Sequence, residues 1–174
     1  MTDMMSKISA GLERAFANRG FAEPSVEDLR DAAGVSLRTL YKYTPSRAEM
    51  VLAALENRHQ RYLARVFDDL PEDPSEALDT ILTRVGNWMV TESAHGCLFH
   101  AAVAAEPGSQ PLRELLERHK AEVAERAAAA TALKGADTAL LLIIEGLTQA
   151  WPLHHEAALD AAKRLGLSLL SPDH

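Results

Sequence analysis

Cysteine is almost absent from this chain of 174 residues, since Cys97 is the only one. A single thiol cannot form an intrachain disulfide or supply the thiolate pairs of a zinc finger. Aromatic residues make up only 5% of the chain, so nothing indicates a flat aromatic cage for planar ligands. No apolar run exceeds six residues, the length of Ala139 to Ile144, which falls far short of the roughly 20 residues of a membrane-spanning helix. The N-terminus also lacks the apolar stretch of a signal peptide, so we expect a soluble, cytoplasmic protein with no membrane partner.

Positive charge is scarce and unevenly placed. The formal net charge is −7, but residues 1–47 carry seven basic and six acidic side chains. Residues 48–174 carry eleven basic and nineteen acidic ones. An acidic body repels phosphate, which argues against a protein that coats nucleic acid along its whole surface. Any nucleic-acid contact is therefore expected at the N-terminal end.

Helical periodicity runs through almost the whole chain, and no segment alternates with the period of two of a β-strand. In the first helix, Ile8, Leu12 and Phe16 recur at helical spacing, and Gly20 is its stop signal. The linker Pro71-Glu72-Asp73-Pro74 separates two longer helical segments, the second of which is expected to start at Ser75.

These patterns predict an all-α fold of about nine helices. We expect a three-helix helix-turn-helix domain over residues 1–47. A long helix would join it to an antiparallel helical bundle over residues 48–174.

The most specific pattern lies between Ser25 and Arg47, with the sequence SVEDLRDAAGVSLRTLYKYTPSR. Ser25 can cap a first helix with Asp28 as its capping-box partner, and Gly34 can adopt the left-handed conformation of a turn. Ser36 can cap a second helix that carries basic and hydroxyl-bearing side chains and no acidic one. Two short helices around such a turn suit the major groove of DNA.

The segment from Leu140 to Ile144 is apolar on every side of a helix, which implies burial all round. In so small a bundle only one face can meet the core. Gly146 and Ala150 would let another helix approach closely, so we expect a homodimer interface built from the last two helices. A central helix inside a monomer is the alternative.

The first fifty residues resemble the N-terminal domain of the TetR family of transcriptional regulators. Several short pieces match in register: Phe16–Phe21 (FANRGF), Ser25–Leu29 (SVEDL), Ala32–Ser36 (AAGVS), Thr39–Tyr43 (TLYKY) and Pro45–Arg47 (PSR). Gly96–Phe99 (GCLF) is similar to a segment in many C-terminal domains of that family. The resemblance implies a homodimeric repressor that binds a palindromic double-stranded DNA operator and is released by a small-molecule effector, without a cofactor. It also implies that residues 48–174 are the domain for ligand binding and dimerisation.

The resemblance also implies which residues contact DNA. The hydroxyls of Ser25 and Ser36 would donate to phosphates, and Arg47 would clamp another phosphate. Arg38 and Thr39 would face base edges. The remaining residues would flank the groove on phosphate and sugar: Tyr41, Lys42 and Tyr43.

Two positions depart from the family pattern. Arg38 stands where many members have glycine, and an arginine can reach a guanine edge with two hydrogen bonds. Thr44 stands where an apolar residue is usual, so looser packing of the second helix is expected. Two alternatives to DNA contact stay open: burial of Tyr41 between helices, and Lys42 as a solvated charge.

The C-terminal bundle offers three large rings for an effector, Trp88, Phe99 and Trp151, with His100, Asn87 and Glu92 as possible polar partners. Each ring is also a candidate core residue. The cluster of His95, Cys97 and His100 invites a metal interpretation, but three ligands so close in sequence rarely surround one ion, and we expect no metal. Nothing basic near Cys97 in sequence, apart from histidine, favours a redox role.

Two other functions compete with a DNA-binding regulator. An enzyme in a helical scaffold could use His95, His100 or His119 as acid-base groups. No nucleophile-base pair, phosphate loop or zinc-protease motif accompanies them, so we expect no enzymatic activity. A helix-turn-helix module retained only for protein contacts is the third hypothesis.

Overall fold

The computed structural model of this protein describes residues 3–92 and 96–171. Within these ranges the chain forms helices and no strand. The helices are α1 (Asp3–Arg19), α2 (Val26–Ala33), α3 (Leu37–Tyr43), α4 (Arg47–Phe67), α5 (Pro74–Glu92), α6 (Leu98–Ala105), α7 (Gln110–Ala130), α8 (Asp137–His154) and α9 (Glu156–Leu170). The predicted all-α class and the predicted nine helices are confirmed for the described residues.

The chain divides into two compact units, Met1–Arg61 with Leu98–Glu117 and Tyr62–Cys97 with Arg118–His174. In the first unit, α1 to α4 enclose a core of fully buried apolar side chains: Ile8, Leu12, Phe16, Leu29, Leu40 and Met50. This division describes compactness rather than role, so the predicted boundary at residue 47 stays a prediction.

The core of the second unit is formed by the end of α4 with α5, α7, α8 and α9. Trp88 and Trp151 both belong to this core. Tyr62 meets the Trp88 ring edge-on, with 5.2 Å between the ring centroids. Both tryptophans are therefore structural residues of this unit, whatever else they contact.

The start of α5 differs from the expectation of a helix beginning at Ser75. A carboxylate oxygen of Asp73 accepts hydrogen bonds from the backbone amides of Ser75 (2.9 Å) and Glu76 (3.0 Å). Pro74 is the first helical residue, a position where its missing amide proton is not needed. The predicted linker therefore ends in a helix cap. A hydrogen bond from the Ser75 hydroxyl (2.6 Å), together with those from the two amides, holds the pKa of Asp73 below its ordinary value.

The apolar segment of α8 is not buried on every side. Leu140 and Ile144 are only 1% exposed, whereas Leu142 between them is 68% exposed. One face of the helix thus belongs to the core and the opposite face lies at the surface of the chain. This agrees with the expectation that only one face of the segment meets the core, and the cover of the other face stays a prediction.

Candidate nucleic-acid interface

The segment from Ser25 to Tyr43 forms the predicted helix-turn-helix. The Ser25 hydroxyl accepts from the Asp28 amide (3.1 Å), and the Asp28 carboxylate accepts from the Ser25 amide (2.8 Å), which completes the capping box. Gly34 ends α2 in the left-handed conformation, with φ of 63°, and its amide bonds back to the last turn. The caps and the turn therefore follow from local sequence.

The capping carboxylate has an unusual proton affinity. Hydrogen bonds from the Ser25 hydroxyl and the Ser25 amide, followed by the ion pair with Arg19, lower the pKa of Asp28 from 3.8 to about 2. The folded chain thus binds this proton less well than the unfolded chain does.

We expect this cap to contribute to acid stability in a defined pH window. Its stabilisation is complete above pH 3.8 and is lost as the pH falls through about 2. Replacing Asp28 by asparagine should therefore flatten the fall in stability between these two pH values, measured by denaturant unfolding at a series of pH values. Glu27→Gln, in the same helical turn, is the control. An unchanged slope for Asp28→Asn would exclude the linkage.

The helix α3 presents most of the predicted DNA-contacting side chains at the surface. The Ser36 hydroxyl caps α3 by accepting from the Thr39 amide (3.1 Å), and it lies 2.9 Å from the Thr39 hydroxyl. Arg38 is exposed and Tyr41 is 45% exposed, so the alternative of a buried Tyr41 is wrong. Lys42 is exposed as well, and Tyr43 is half-buried, with the Lys42 ammonium 5.7 Å from its ring centroid.

Two other side chains that were predicted to contact DNA, those of Arg47 and Ser25, form hydrogen bonds within the chain. The Arg47 guanidinium donates to the carbonyl oxygens of Phe21 (2.7 Å) and Pro24 (2.9 Å) and lies over the Phe16 ring. The Ser25 hydroxyl donates its proton to the Asp28 carboxylate at 2.7 Å. The phosphate contacts that the resemblance implied for Arg47 and Ser25 stay predictions, and both side chains already have partners within the chain.

Thr44 is 1% exposed and ends α3. Its hydroxyl donates to the Leu40 carbonyl at 2.9 Å, so the buried polar group has a hydrogen-bond partner. The threonine therefore fits an apolar environment by bonding to its own helix.

The position of α2 depends on a close contact with α1. A Cβ atom added to Gly11 would lie 2.5 Å from the Ala33 Cα and 2.8 Å from the Ala32 carbonyl carbon. Real Cβ contacts are not that short, and both neighbours are backbone atoms. Glycine at position 11 is thus what lets α2, and the turn after it, lie directly on α1.

A buried ionic cluster joins α1 to α4, and the sequence analysis did not identify it. The Glu13 side chain is 2% exposed and accepts from Asn57 (2.6 Å), Arg58 (3.1 Å) and Arg61 (2.7 Å). Arg58 is itself 4% exposed, so its charge relies on this pairing. The only available signal was a lone acidic residue on the apolar side of the first helix.

The residues proposed for an effector site lie in different surroundings. Trp88 and Trp151 are core residues of the second unit. Phe99 and His100 lie on α6 in the first unit, where Phe99 is 3% exposed and His100 is exposed. Their role in effector binding stays a prediction.

A polar group that sequence reasoning missed also lies in the second unit. The Lys120 ammonium is 3.4 Å from the Cys97 sulfur and 2.6 Å from a Glu145 carboxylate oxygen. The expectation that nothing basic but histidine lies near Cys97 is therefore wrong, because α7 brings a lysine from 23 positions away.

No helix within residues 3–92 and 96–171 is long and apolar enough to cross a membrane. Over the same residues, no three metal-ligating side chains of the His, Cys, Asp and Glu types come together. His95, considered above as a ligand, lies outside the described residues.

The last two helices form an apolar groove at the surface of the chain. Its volume is about 480 Å³, and small residues such as Gly146, Ala150 and Ala161 line its floor. Leu142 and Leu165, which are 68% and 59% exposed, form its walls. An exposed leucine-walled groove is typical of a surface that another protein covers.

Residues 8–54 match the family described as bacterial regulatory proteins, tetR family. Over 91 residues the chain is 32% identical to the transcriptional regulator TtgR of Pseudomonas putida, which covers 51% of this chain and 43% of that protein. Over 79 residues it is 32% identical to the regulator EthR of Mycolicibacterium smegmatis, covering 44% and 36%. The matched part of the chain thus spans less than half the length of each of these curated relatives.

Solved structures match over nearly the whole chain. A putative TetR-family regulator from Rhodococcus sp. superposes with a TM-score of 0.79 and 21% identity, covering 98% of this chain and 100% of that one. A TetR-family regulator from Streptomyces coelicolor has a TM-score of 0.76 and 17% identity, covering 96% and 94%. At these identities the likeness shows a common fold.

Proposed function

Because the chain belongs through residues 8–54 to the TetR family of DNA-binding transcriptional regulators, and has the fold of that family, we propose that it is a repressor. As a homodimer it binds a palindromic operator, with α3 of each protomer in the major groove. The observation that carries the proposal is the exposed face of α3. This face presents Arg38, Tyr41 and Lys42 and has no acidic residue.

The exposed face of α3 suits DNA because its side chains can contact different parts of the duplex, either base edges or phosphate and sugar. An arginine can donate two hydrogen bonds to a guanine edge, which makes Arg38 the proposed reader of sequence. Thr39 would meet a neighbouring base through its methyl group. Ser36, Tyr41, Lys42 and Tyr43 would contact phosphate and sugar, which position the protein without reading sequence.

The homodimer is proposed from the groove between α8 and α9. Its walls are leucines that a single chain leaves in water, and its floor is made of alanine and glycine. A second copy of the same groove can cover it by a twofold axis, as most soluble oligomers do. In this proposal the two α3 helices contact half-sites spaced by about one DNA turn or a multiple of it.

Release by a small-molecule effector completes the proposed function. The candidates for effector contact are Trp88, Phe99, His100 and Trp151, as the resemblance and the large rings indicated. The polar group of Cys97, Lys120 and Glu145 adds a charged pair inside the second unit.

Selection of bound duplexes from a random DNA pool tests this proposal directly. A palindromic consensus would support it, and loss of the bound pool on addition of metabolite extracts would support effector release. Failure to retain any duplex at low salt would contradict DNA binding, since nonspecific phosphate contacts are strongest there. If the protein activates a reporter gene placed behind the selected operator, repression is contradicted but DNA binding is not.

Arg38→Ala is expected to weaken binding to the selected operator by about 1–3 kcal/mol and to relax one base position. The reason is the loss of the guanidinium, whose planar fork can donate two hydrogen bonds to a guanine edge. Lys42→Ala, which removes the same charge from the same helix, should weaken all sequences alike. Both are measured by titrating matched operator and mutated-operator duplexes. An unchanged base preference in Arg38→Ala would rule out its role as reader.

A further inference from the structure

A single side chain joins the two ends of the helix-turn-helix. Arg47 is the first residue of α4, just after α3, and Pro24 directly precedes the cap of α2. One terminal nitrogen of Arg47 donates to the Pro24 carbonyl and the other donates to the Phe21 carbonyl. The side chain thus closes the segment that holds α2 and α3 into a ring, with one proton of each terminal nitrogen donated to a carbonyl.

The Ser25 hydroxyl is used internally as well. A hydroxyl has one proton, and that of Ser25 goes to the Asp28 carboxylate, which cannot donate in return. Ser36 is different, because its partner is the Thr39 hydroxyl and either of these two groups can be the donor. Ser25 therefore cannot donate to a phosphate without breaking the bond to Asp28.

The charge around the start of α2 also opposes a phosphate. Three carboxylates lie at this corner, on Glu23, Glu27 and Asp28, and the first two are exposed. Arg19 pairs with both Glu23 (3.0 Å) and Asp28 (3.1 Å), so its charge is already balanced. A phosphate brought here would be repelled by these carboxylates.

We propose that Arg47 and Ser25 are positioning residues that hold the corner between α1 and α2, and through it the angle of α3, without contacting a phosphate. This inference rests on the proposed function. It differs from the roles implied by the family pattern, in which a basic residue at position 47 clamps the backbone.

The test compares Arg47→Lys, Arg47→Gln and Lys42→Ala with the unaltered protein on an operator duplex and on a nonspecific duplex. Each binding constant is measured over a range of salt concentrations. A residue that neutralises a phosphate contributes about 0.9 to the slope of log K against log salt. A positioning residue contributes nothing to that slope, but it changes the ratio of operator affinity to nonspecific affinity.

We expect both Arg47 variants to lose about tenfold in operator affinity, because neither lysine nor glutamine can hold two carbonyls as the guanidinium fork does. The salt slope and the affinity for nonspecific DNA should stay as in the unaltered protein. Ser25→Ala should likewise leave the slope unchanged. Lys42→Ala is the matched benchmark, with a smaller slope and an unchanged ratio of operator to nonspecific binding.

Full affinity in Arg47→Lys together with a reduced slope in Arg47→Gln would overturn the inference and restore a phosphate contact. Circular dichroism and thermal melting of each variant ensure that only folded protein is compared. If the unaltered protein binds no duplex at all, the proposed function fails. Amide hydrogen exchange at residues 21–25 then tests whether Arg47 holds this corner. Faster exchange in both Arg47 variants supports that role, and unchanged exchange excludes it.

Discussion

Replacing Gly11 by alanine is expected to destabilise the protein by about 2 kcal/mol or more. The added methyl group would meet backbone atoms of Ala32 and Ala33, which cannot move aside by changing a rotamer. An alanine in a helix gains about 1 kcal/mol over glycine, whereas forcing atoms into a packed contact costs up to about 3 kcal/mol. The clash therefore outweighs the gain, and the melting temperature should fall by roughly 4–8 °C.

The matched control is Gly108→Ala, which adds the same methyl group where nothing lies within 4 Å. This variant should be neutral or slightly more stable than the unaltered protein. Because α2 must move away from α1 in Gly11→Ala, operator affinity should fall in the folded fraction as well. Equal melting temperatures for the two alanine variants would mean that α1 and α2 do not approach as closely as described.

Breaking the groove between α8 and α9 is expected to weaken operator binding about 100-fold or more. Leu142→Arg places a charge on an exposed wall of the groove, and Gly146→Arg fills its floor. In the single chain Gly146 is exposed and a Cβ there meets nothing within 4 Å, so a side chain can start at this position without a clash at its Cβ. Each half-site would then be bound separately, and the gain from linking two recognition helices would be lost.

Sedimentation equilibrium measures the oligomeric state, and titration on full and half operators measures the binding. Val90→Arg is the control, because Val90 is 61% exposed on α5 and does not line the groove. The two groove variants should be monomers that bind full and half operators alike. Groove variants that remain dimers would show that the interface lies elsewhere.

Features that depend on neighbours in sequence could be predicted, because a cap needs only three or four residues. The capping box of Ser25 and Asp28, the left-handed Gly34 and the cap of α3 at Ser36 are all confirmed. The start of α5 was misjudged by one residue, since Asp73 and Ser75 are both good capping residues. Asp73 is the cap because Pro74 suits the first helical position.

Features that depend on distant residues could not be predicted. Glu13 meets Arg58 across 45 positions, and Lys120 meets Cys97 across 23. Arg47 is the clearest case, because its sequence context suggests an outward contact while its guanidinium is held by carbonyls 23 and 26 positions away. The direction of a long side chain is decided by which acceptors the fold brings near it.

The helices, their caps and the basic, acid-free character of α3 could be predicted from the order of residues, because periodicity, capping and charge are properties of neighbouring residues. The outward-facing side chains of the helix-turn-helix and the exposed face of α8 became known from the folded chain. Both depend on contacts between helices that are far apart in sequence. The candidate DNA-contacting set was accordingly predicted at the level of the helix, whereas the internal partners of Ser25 and Arg47 were not.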